Sequence, residues 1–147
     1  MLRTTSRLRR IAFVASVIVA GASAGCGGSD PVVLPKVDIT GNYVATRFIV
    51  TPTGKPSIDV LQRGGSLTMN IAADKTTSGT LFVPQDVIGS STTASMAGTA
   101  QQIGNAVKFV QTADSFVRQV GWLAGGGTIA TDVNDGSARI EVLLTRQ

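Results

Sequence analysis

The 147-residue chain has no histidine, a single cysteine and few aromatic residues: one Trp, one Tyr and five Phe. Histidine is the usual general base at neutral pH and a common metal ligand, and one cysteine cannot form a disulfide within the chain. A nucleophile–base pair would therefore need Ser or Thr beside Lys or Asp. Ser and Thr are also frequent in β proteins for structural reasons. We predict that the chain is not an enzyme and that it has no metal and no cofactor.

The longest uncharged hydrophobic run, Ile11–Ala24, is too short to cross a bilayer as a stable helix, because it holds about 14 residues. The preceding ten residues contain four arginines and no acidic residue. A basic segment followed by a short apolar segment is typical of a signal peptide.

Small residues then lead into Cys26. Ala24-Gly25-Cys26 resembles the lipobox of bacterial lipoproteins, with Ser23 where that family usually has Leu. The resemblance implies that residues 1–25 are removed as a signal peptide and that Cys26 is the lipid attachment site, carrying a diacylglycerol and an acylated amino terminus with chains such as palmitate. It also implies a lipid-anchored protein of the bacterial cell envelope, which we expect at the outer membrane. An ordinary secretory signal cleaved after Ala24 is the alternative.

The positive charge of the chain belongs to the signal. Four of the thirteen Lys and Arg residues lie in residues 1–10, so cleavage before Cys26 leaves nine basic and nine acidic residues. Nucleic-acid binding relies on clustered positive charge, and we therefore expect no nucleic-acid partner. The remaining 122 residues suffice for one domain. Gly, Ser and Pro residues predict a flexible tether over 26–37, followed by a single domain over 38–147.

From Asp38 onward, short runs rich in Thr, Val and Ile are interrupted by Gly, Pro and Asn-Asp, which is typical of a β protein. Gly104-Asn105 and Asn134-Asp135-Gly136 predict hairpin turns. A loop is predicted over 85–91, and residues 58–61 favour a short strand or a helical turn. The other predicted strands are 39–50, 66–72, 76–83, 92–103, 106–112, 116–123, 128–133 and 137–145.

About eight strands joined by short turns, without a clear helix, must close or stack to protect their edges. We predict an all-β fold, an up-and-down antiparallel barrel of about eight strands, with a β-sandwich as the alternative.

A second resemblance supports the barrel. Gly41-Asn42-Tyr43 is similar to the G-x-W sequence that opens lipocalins and their small bacterial relatives, with Tyr43 in place of Trp. Arg146 follows the last predicted strand, where that family has an arginine packed over the aromatic ring. However, strict alternation would place Tyr43 and Arg47 on one face and Phe48 and Val50 on the other. Either this strand contains a bulge or the resemblance assigns it the wrong face.

The lipocalin resemblance implies that the barrel holds a small hydrophobic ligand. Combined with the lipobox and the lack of catalytic residues, it leads us to expect a membrane-anchored, non-enzymatic protein. The alternative is a structural module with a filled β core that binds another envelope protein, with 92–103 as the candidate edge strand. Aromatic and large apolar residues are more often core than ligand contacts. The candidate ligand-binding residues are Tyr43, Met69, Leu81, Phe109 and Trp122.

Charged residues offer weaker candidates. Asp114 and Arg118 are four residues apart, which favours a surface contact. Asp132 and Asp135 flank Asn134 but lack the spaced ligands of a calcium loop, so a hairpin turn is the better interpretation.

Overall fold

This computed structural model describes residues 36–147. Within this range, segments of alternating apolar and polar residues form most of the eleven strands, and two single helical turns lie between them. The predicted signal, Cys26 and most of the predicted tether lie outside the described residues. The elements are β1 (Gly41–Pro52), β2 (Ile58–Asp59), β3 (Ser66–Ile71), β4 (Thr76–Ser78), β5 (Thr80–Val83), α1 (Gln85–Ile88), β6 (Thr92–Ser95), β7 (Gly98–Ile103), β8 (Ala106–Gln111), α2 (Phe116–Gln119), β9 (Trp122–Gly125), β10 (Thr128–Asn134) and β11 (Ala138–Arg146).

Eight of these strands form a closed antiparallel barrel in the order β1-β11-β10-β9-β8-β7-β4-β3. Closure occurs because β1 pairs with β11 along its length and with β3 through its first residues. The three remaining strands, β2, β5 and β6, extend the wall at one end. The predicted all-β, up-and-down barrel is confirmed, and the sandwich alternative is wrong.

The two ends of the barrel differ. At the lower end, β1 begins, β11 ends, and short turns join β3 to β4, β7 to β8 and β9 to β10. Residues 36–40 span this end from β7 to β1: the side-chain Nε2 of Gln102 donates to the carbonyl oxygen of Val37 at 2.6 Å, and Ile39 is completely buried. At the upper end, longer connections carry α1 and α2.

A bulge in β1 explains how Tyr43 and Phe48 can lie on the same face of the strand, which strict alternation does not allow. The register with β11 passes from Ala45 opposite Leu144 to Arg47 opposite Leu143, so Thr46 is an extra residue. Because one additional residue reverses the alternation, Tyr43 and Phe48 both point into the core while Arg47 is exposed.

Gly79 divides the predicted strand 76–83 into β4 and β5. Its φ is +131°, and a Cβ there would lie 2.3 Å from the carbonyl oxygen of Thr68. Only glycine fits this close approach, and the strand changes direction there. The predicted strand 92–103 is likewise divided into β6 and β7.

The strand predicted over 116–123 is wrong in its first half, where α2 forms instead. Phe116, Val117 and Val120 have helical rather than alternating spacing, and a helical turn brings all three against the core. β9 then begins at Trp122. The predicted loop 85–91 similarly contains the helical turn α1, which ends at Gly89 with φ 84°.

Candidate functional site

The upper end of the barrel holds an open cavity of about 310 Å³. Its walls come from β1, β5, β6 and β11 together with α1, α2 and the segments beside them. The apolar lining residues are Phe48, Val50, Leu81, Val83, Ile88, Phe116, Ala138 and Ile140. The polar lining residues are Thr92, Ser115, Asp135 and Ser137.

Aromatic side chains form the floor of this cavity and connect it to the barrel core. The ring of Phe116 lies 5.7 Å from that of Phe48 and 6.5 Å from that of Trp122. Trp122 in turn meets Phe109 edge to face at 5.7 Å. The indole Nε1 of Trp122 donates to the carbonyl oxygen of Val117 at 3.0 Å, which fixes α2 above the core. The floor is therefore apolar and consists of aromatic rings in contact with one another.

Three of the four polar side chains around the cavity, those of Ser115, Asp135 and Ser137, already have partners in the protein. The hydroxyl of Ser115 donates to Oε1 of Gln111 at 3.0 Å. One carboxylate oxygen of Asp135 accepts bonds from the Ser137 hydroxyl and from the backbone of Ser137 and Ala138, and these bonds lower the pKa of Asp135. Since these groups stabilise the fold, the cavity offers mainly apolar contact to a ligand.

The five predicted ligand-binding residues are all buried, but the structure does not bring them together in one cavity. Leu81 lines the upper cavity, and Trp122 supports it from below through Phe116. Tyr43, Met69 and Phe109 instead fill the barrel interior.

Sequence reasoning missed seven of the eight apolar lining residues: Phe48 and Phe116 on the floor, and Val50, Val83, Ile88, Ala138 and Ile140 on the wall. Phe48 was missed because strict alternation from Tyr43 placed it outside the barrel. The sequence did offer one signal, the two adjacent apolar residues Val87 and Ile88 within the predicted loop 85–91.

At the lower end, Arg146 lies over the ring of Tyr43, with its guanidinium carbon 5.6 Å from the ring centroid. Its Nη2 donates to the Tyr43 hydroxyl at 3.1 Å and also to the carbonyl oxygen of Asp38. The Tyr43 hydroxyl donates to the carbonyl oxygen of Ile39 at 3.1 Å. The predicted contact between Arg146 and the aromatic ring is confirmed, and it holds the segment that closes this end.

The charged candidates form surface contacts. Arg118 donates to Asp114 at 2.7 Å across the start of α2, and both side chains are exposed. Arg139 binds both carboxylate oxygens of Asp132, which lowers the pKa of that aspartate. Within residues 36–147, no group of three or more acidic, histidine or cysteine side chains is placed to hold a metal ion.

No helix among the described residues is long and apolar enough to cross a membrane. No protein-family model, curated protein or solved structure matches the chain significantly.

Proposed function

We propose that this chain is a lipid-anchored, non-enzymatic protein of the bacterial envelope whose barrel binds one small apolar molecule in the upper cavity. The observation that carries the binding proposal is the cavity itself, since about 310 Å³ lies at the small end of the range for ligand sites. The anchoring proposal depends on the signal segment and on Cys26.

The chemistry of the lining defines the ligand class. The lining has five large aliphatic side chains, the methyl group of Ala138 and two phenyl rings, against four polar side chains. The one ionised group in the lining, the carboxylate of Asp135, already accepts hydrogen bonds from Ser137 and Ala138. Burial of apolar ligand surface would therefore provide the affinity, at about 25 cal/mol per Å². A compact aliphatic or aromatic molecule fits this site, whereas a charged metabolite would lose its hydration without compensation.

Filling the cavity tests the binding proposal. Ala138 lines the wall, so Ala138→Trp should occupy the space and abolish binding of an uncharged fluorescent probe such as N-phenyl-1-naphthylamine. Thr93→Trp is the matched control, because Thr93 is exposed on the neighbouring strand β6 and does not line the cavity. Equal probe binding by both variants would contradict the proposal, provided that both retain the far-ultraviolet circular dichroism of the wild type.

A specific observation also favours the alternative function, a module that binds another envelope protein. Within the described part of the chain, β6 pairs with β5 on one side only, whereas β7, the second half of the predicted edge strand, pairs with both β4 and β8. The candidate edge is thus limited to Thr92–Ser95. Lysines at Thr93 and Ser95 would block strand addition there without entering the cavity. Loss of a cross-linked partner with unchanged probe binding would favour this alternative.

A further inference from the structure

Three apolar residues, Ile103, Ala106 and Leu123, lie side by side on the outer face of the barrel at its lower end. The register pairs Ile103 with Ala106 across the β7–β8 hairpin and Ala106 with Leu123 across β8 and β9. Paired residues on adjacent strands point to the same face. Ile103 is 86% exposed and Leu123 is 60% exposed, so this lower patch is the most exposed large apolar surface of residues 36–147.

The lower patch lies beside the point where the amino-terminal segment joins the barrel. Gln102, which precedes Ile103, donates through Nε2 to the carbonyl oxygen of Val37 at 2.6 Å and to that of Gly104 at 2.8 Å. The chain that leads back to Cys26 therefore leaves the barrel at the hairpin that carries Ile103.

The intervening chain is short. Nine residues lie between Cys26 and Lys36, and the ten Cα-to-Cα steps give a reach of about 35 Å when fully extended and about 17 Å when flexible. The upper cavity opens at the opposite end of the barrel from this attachment point. An acyl anchor at Cys26 would thus hold the lower patch near the bilayer and leave the cavity facing away from it.

The charges near the lower patch suit a lipid surface. Lys108 follows Ala106 by two residues on the same outer face and shares a shallow groove with Ile103 and Ala106. Lys side chains at such positions extend their charge toward head groups while their methylene chains cover apolar surface. Two acidic residues, Asp38 and Asp74, also lie at this end. Arg146 forms an ion pair with Asp38 at 3.6 Å, and Lys75 follows Asp74 in the chain, so basic residues offset both negative charges.

We infer that the lower patch contacts the bilayer surface and orients the barrel with its cavity pointing away from the membrane, an inference that rests on the proposed anchoring through Cys26. Three side chains are too few for a stable protein interface, which buries about 800 Å² on each partner. A tether raises the local concentration of the membrane, so weak apolar contact suffices.

The experiment uses the full-length protein, matured and reconstituted in vesicles of phosphatidylethanolamine and phosphatidylglycerol that contain brominated acyl chains. A fluorescent label is placed on Asn105→Cys in the lower hairpin or on Ser90→Cys at the upper end. Both positions are exposed, and acylated Cys26 does not react with the label. We expect quenching of the label at position 105 and none at position 90. The double variant Ile103→Ser, Leu123→Ser should abolish that quenching.

The matched control is Val110→Ser. Val110 is 44% exposed on the outer face of β8, but lies four residues, about 13 Å, further from the lower end than Ala106. This variant should keep the quenching at position 105. Equal quenching at both positions, or a dimer that the double variant dissociates, would overturn the inference.

Mass spectrometry of the peptide that contains Cys26, taken from the same sample, tests lipid anchoring separately from bilayer contact by the lower patch. Acylated Cys26 without quenching at position 105 would overturn the lower-patch inference alone. An unmodified Cys26 thiol would overturn the anchoring proposal and, with it, the lower-patch inference.

Discussion

At the scale of single residues, Tyr43 joins three parts of the molecule. Its ring is in the core, its hydroxyl donates to Ile39, and that hydroxyl also accepts from Arg146 at the end of β11. Since Arg146 additionally bonds Asp38, this group of side chains fixes the closing segment onto the first and last strands. The lower end is thereby sealed by polar contacts around a buried ring.

Replacing Tyr43 with Phe tests this arrangement. Tyr43→Phe keeps the ring but removes the hydroxyl, leaving the Ile39 carbonyl and the Arg146 guanidinium with fewer partners. We expect the free energy of unfolding to fall by about 1–2 kcal/mol, measured by urea denaturation. Arg63→Gln is the control, because it removes only an exposed ion pair with Asp86 and should cost less than about 0.5 kcal/mol. Equal losses in the two variants would argue against a structural role for the hydroxyl.

Exposed aspartates predict how stability depends on pH. Hydrogen bonds from Thr40, Thr76, Arg139 and Ser137 lower the pKa values of Asp38, Asp74, Asp132 and Asp135, respectively. A carboxylate whose pKa is lower in the folded state contributes stability that is complete above its unfolded pKa of about 3.9. That contribution is lost as the pH falls through the folded value.

Urea denaturation at pH 6 and at pH 3 should therefore show a smaller free energy of unfolding at pH 3. In Asp132→Asn, which removes one of these carboxylates, the difference between the two pH values should be smaller than in the wild type. A stability that stays constant or rises on acidification would contradict the assignment.

At the scale of elements, local sequence controls the β10–β11 hairpin. Gly136 has φ +88°, and the carboxylate of Asp135 accepts bonds from Ser137 and Ala138 in the same turn. Thr53 also donates through its hydroxyl to the Gly136 carbonyl oxygen, which connects this turn to the end of β1. The hairpin thus shapes one side of the upper cavity through Asp135, Ser137 and Ala138.

Gly136→Val should destabilise the domain by about 1–2 kcal/mol, because a side chain disfavours this left-handed backbone conformation. Overlap of the added Cβ with more distant parts of the fold would not contribute, since no heavy atom beyond the two neighbouring residues lies within 4 Å of it. Gly121→Val provides the control: it also has open space around its Cβ, but its φ is not in the positive region. Thermal unfolding should show a lower melting temperature for the first variant only. Similar melting temperatures would contradict the turn assignment.

At the scale of the whole molecule, the barrel is closed below and open above. Residues 36–40 and packed side chains fill the lower part, whereas the wall formed by β5 and β6 and the connections with α1 and α2 leave the upper cavity. If the barrel is anchored through the tether at its sealed end, the cavity would open toward the aqueous phase and away from the bilayer.

Anchoring is tested at this scale by Cys26→Ser. Without the thiol there is no site for lipid attachment, so the variant should lose labelled palmitate, remain unprocessed and leave the membrane fraction. Ser29→Ala, three residues further on, should keep both the label and the membrane association. A Cys26→Ser protein that still incorporated labelled palmitate would contradict lipidation at this residue.

The sequence by itself determined the all-β class, most strand positions and both predicted hairpins, because alternation and turn residues act over a few neighbouring positions. The contact between Arg146 and Tyr43 could also be predicted from the sequence, but from the lipocalin resemblance and not from the alternation of residues. The helical turn at Phe116 was not predicted, because a single turn contains too few residues for its apolar spacing to establish a period.

Only the tertiary structure decided which side chains line the cavity. The bulge at Thr46, which turns Phe48 inward, becomes visible only when β1 is paired with β11, almost one hundred residues later in the chain. The cavity volume likewise depends on how Leu81, Phe116 and Ile140, from three distant segments, fail to fill the space between them. Local sequence fixes the direction of each side chain along its strand, but an unfilled volume is a property of all the strands packed together.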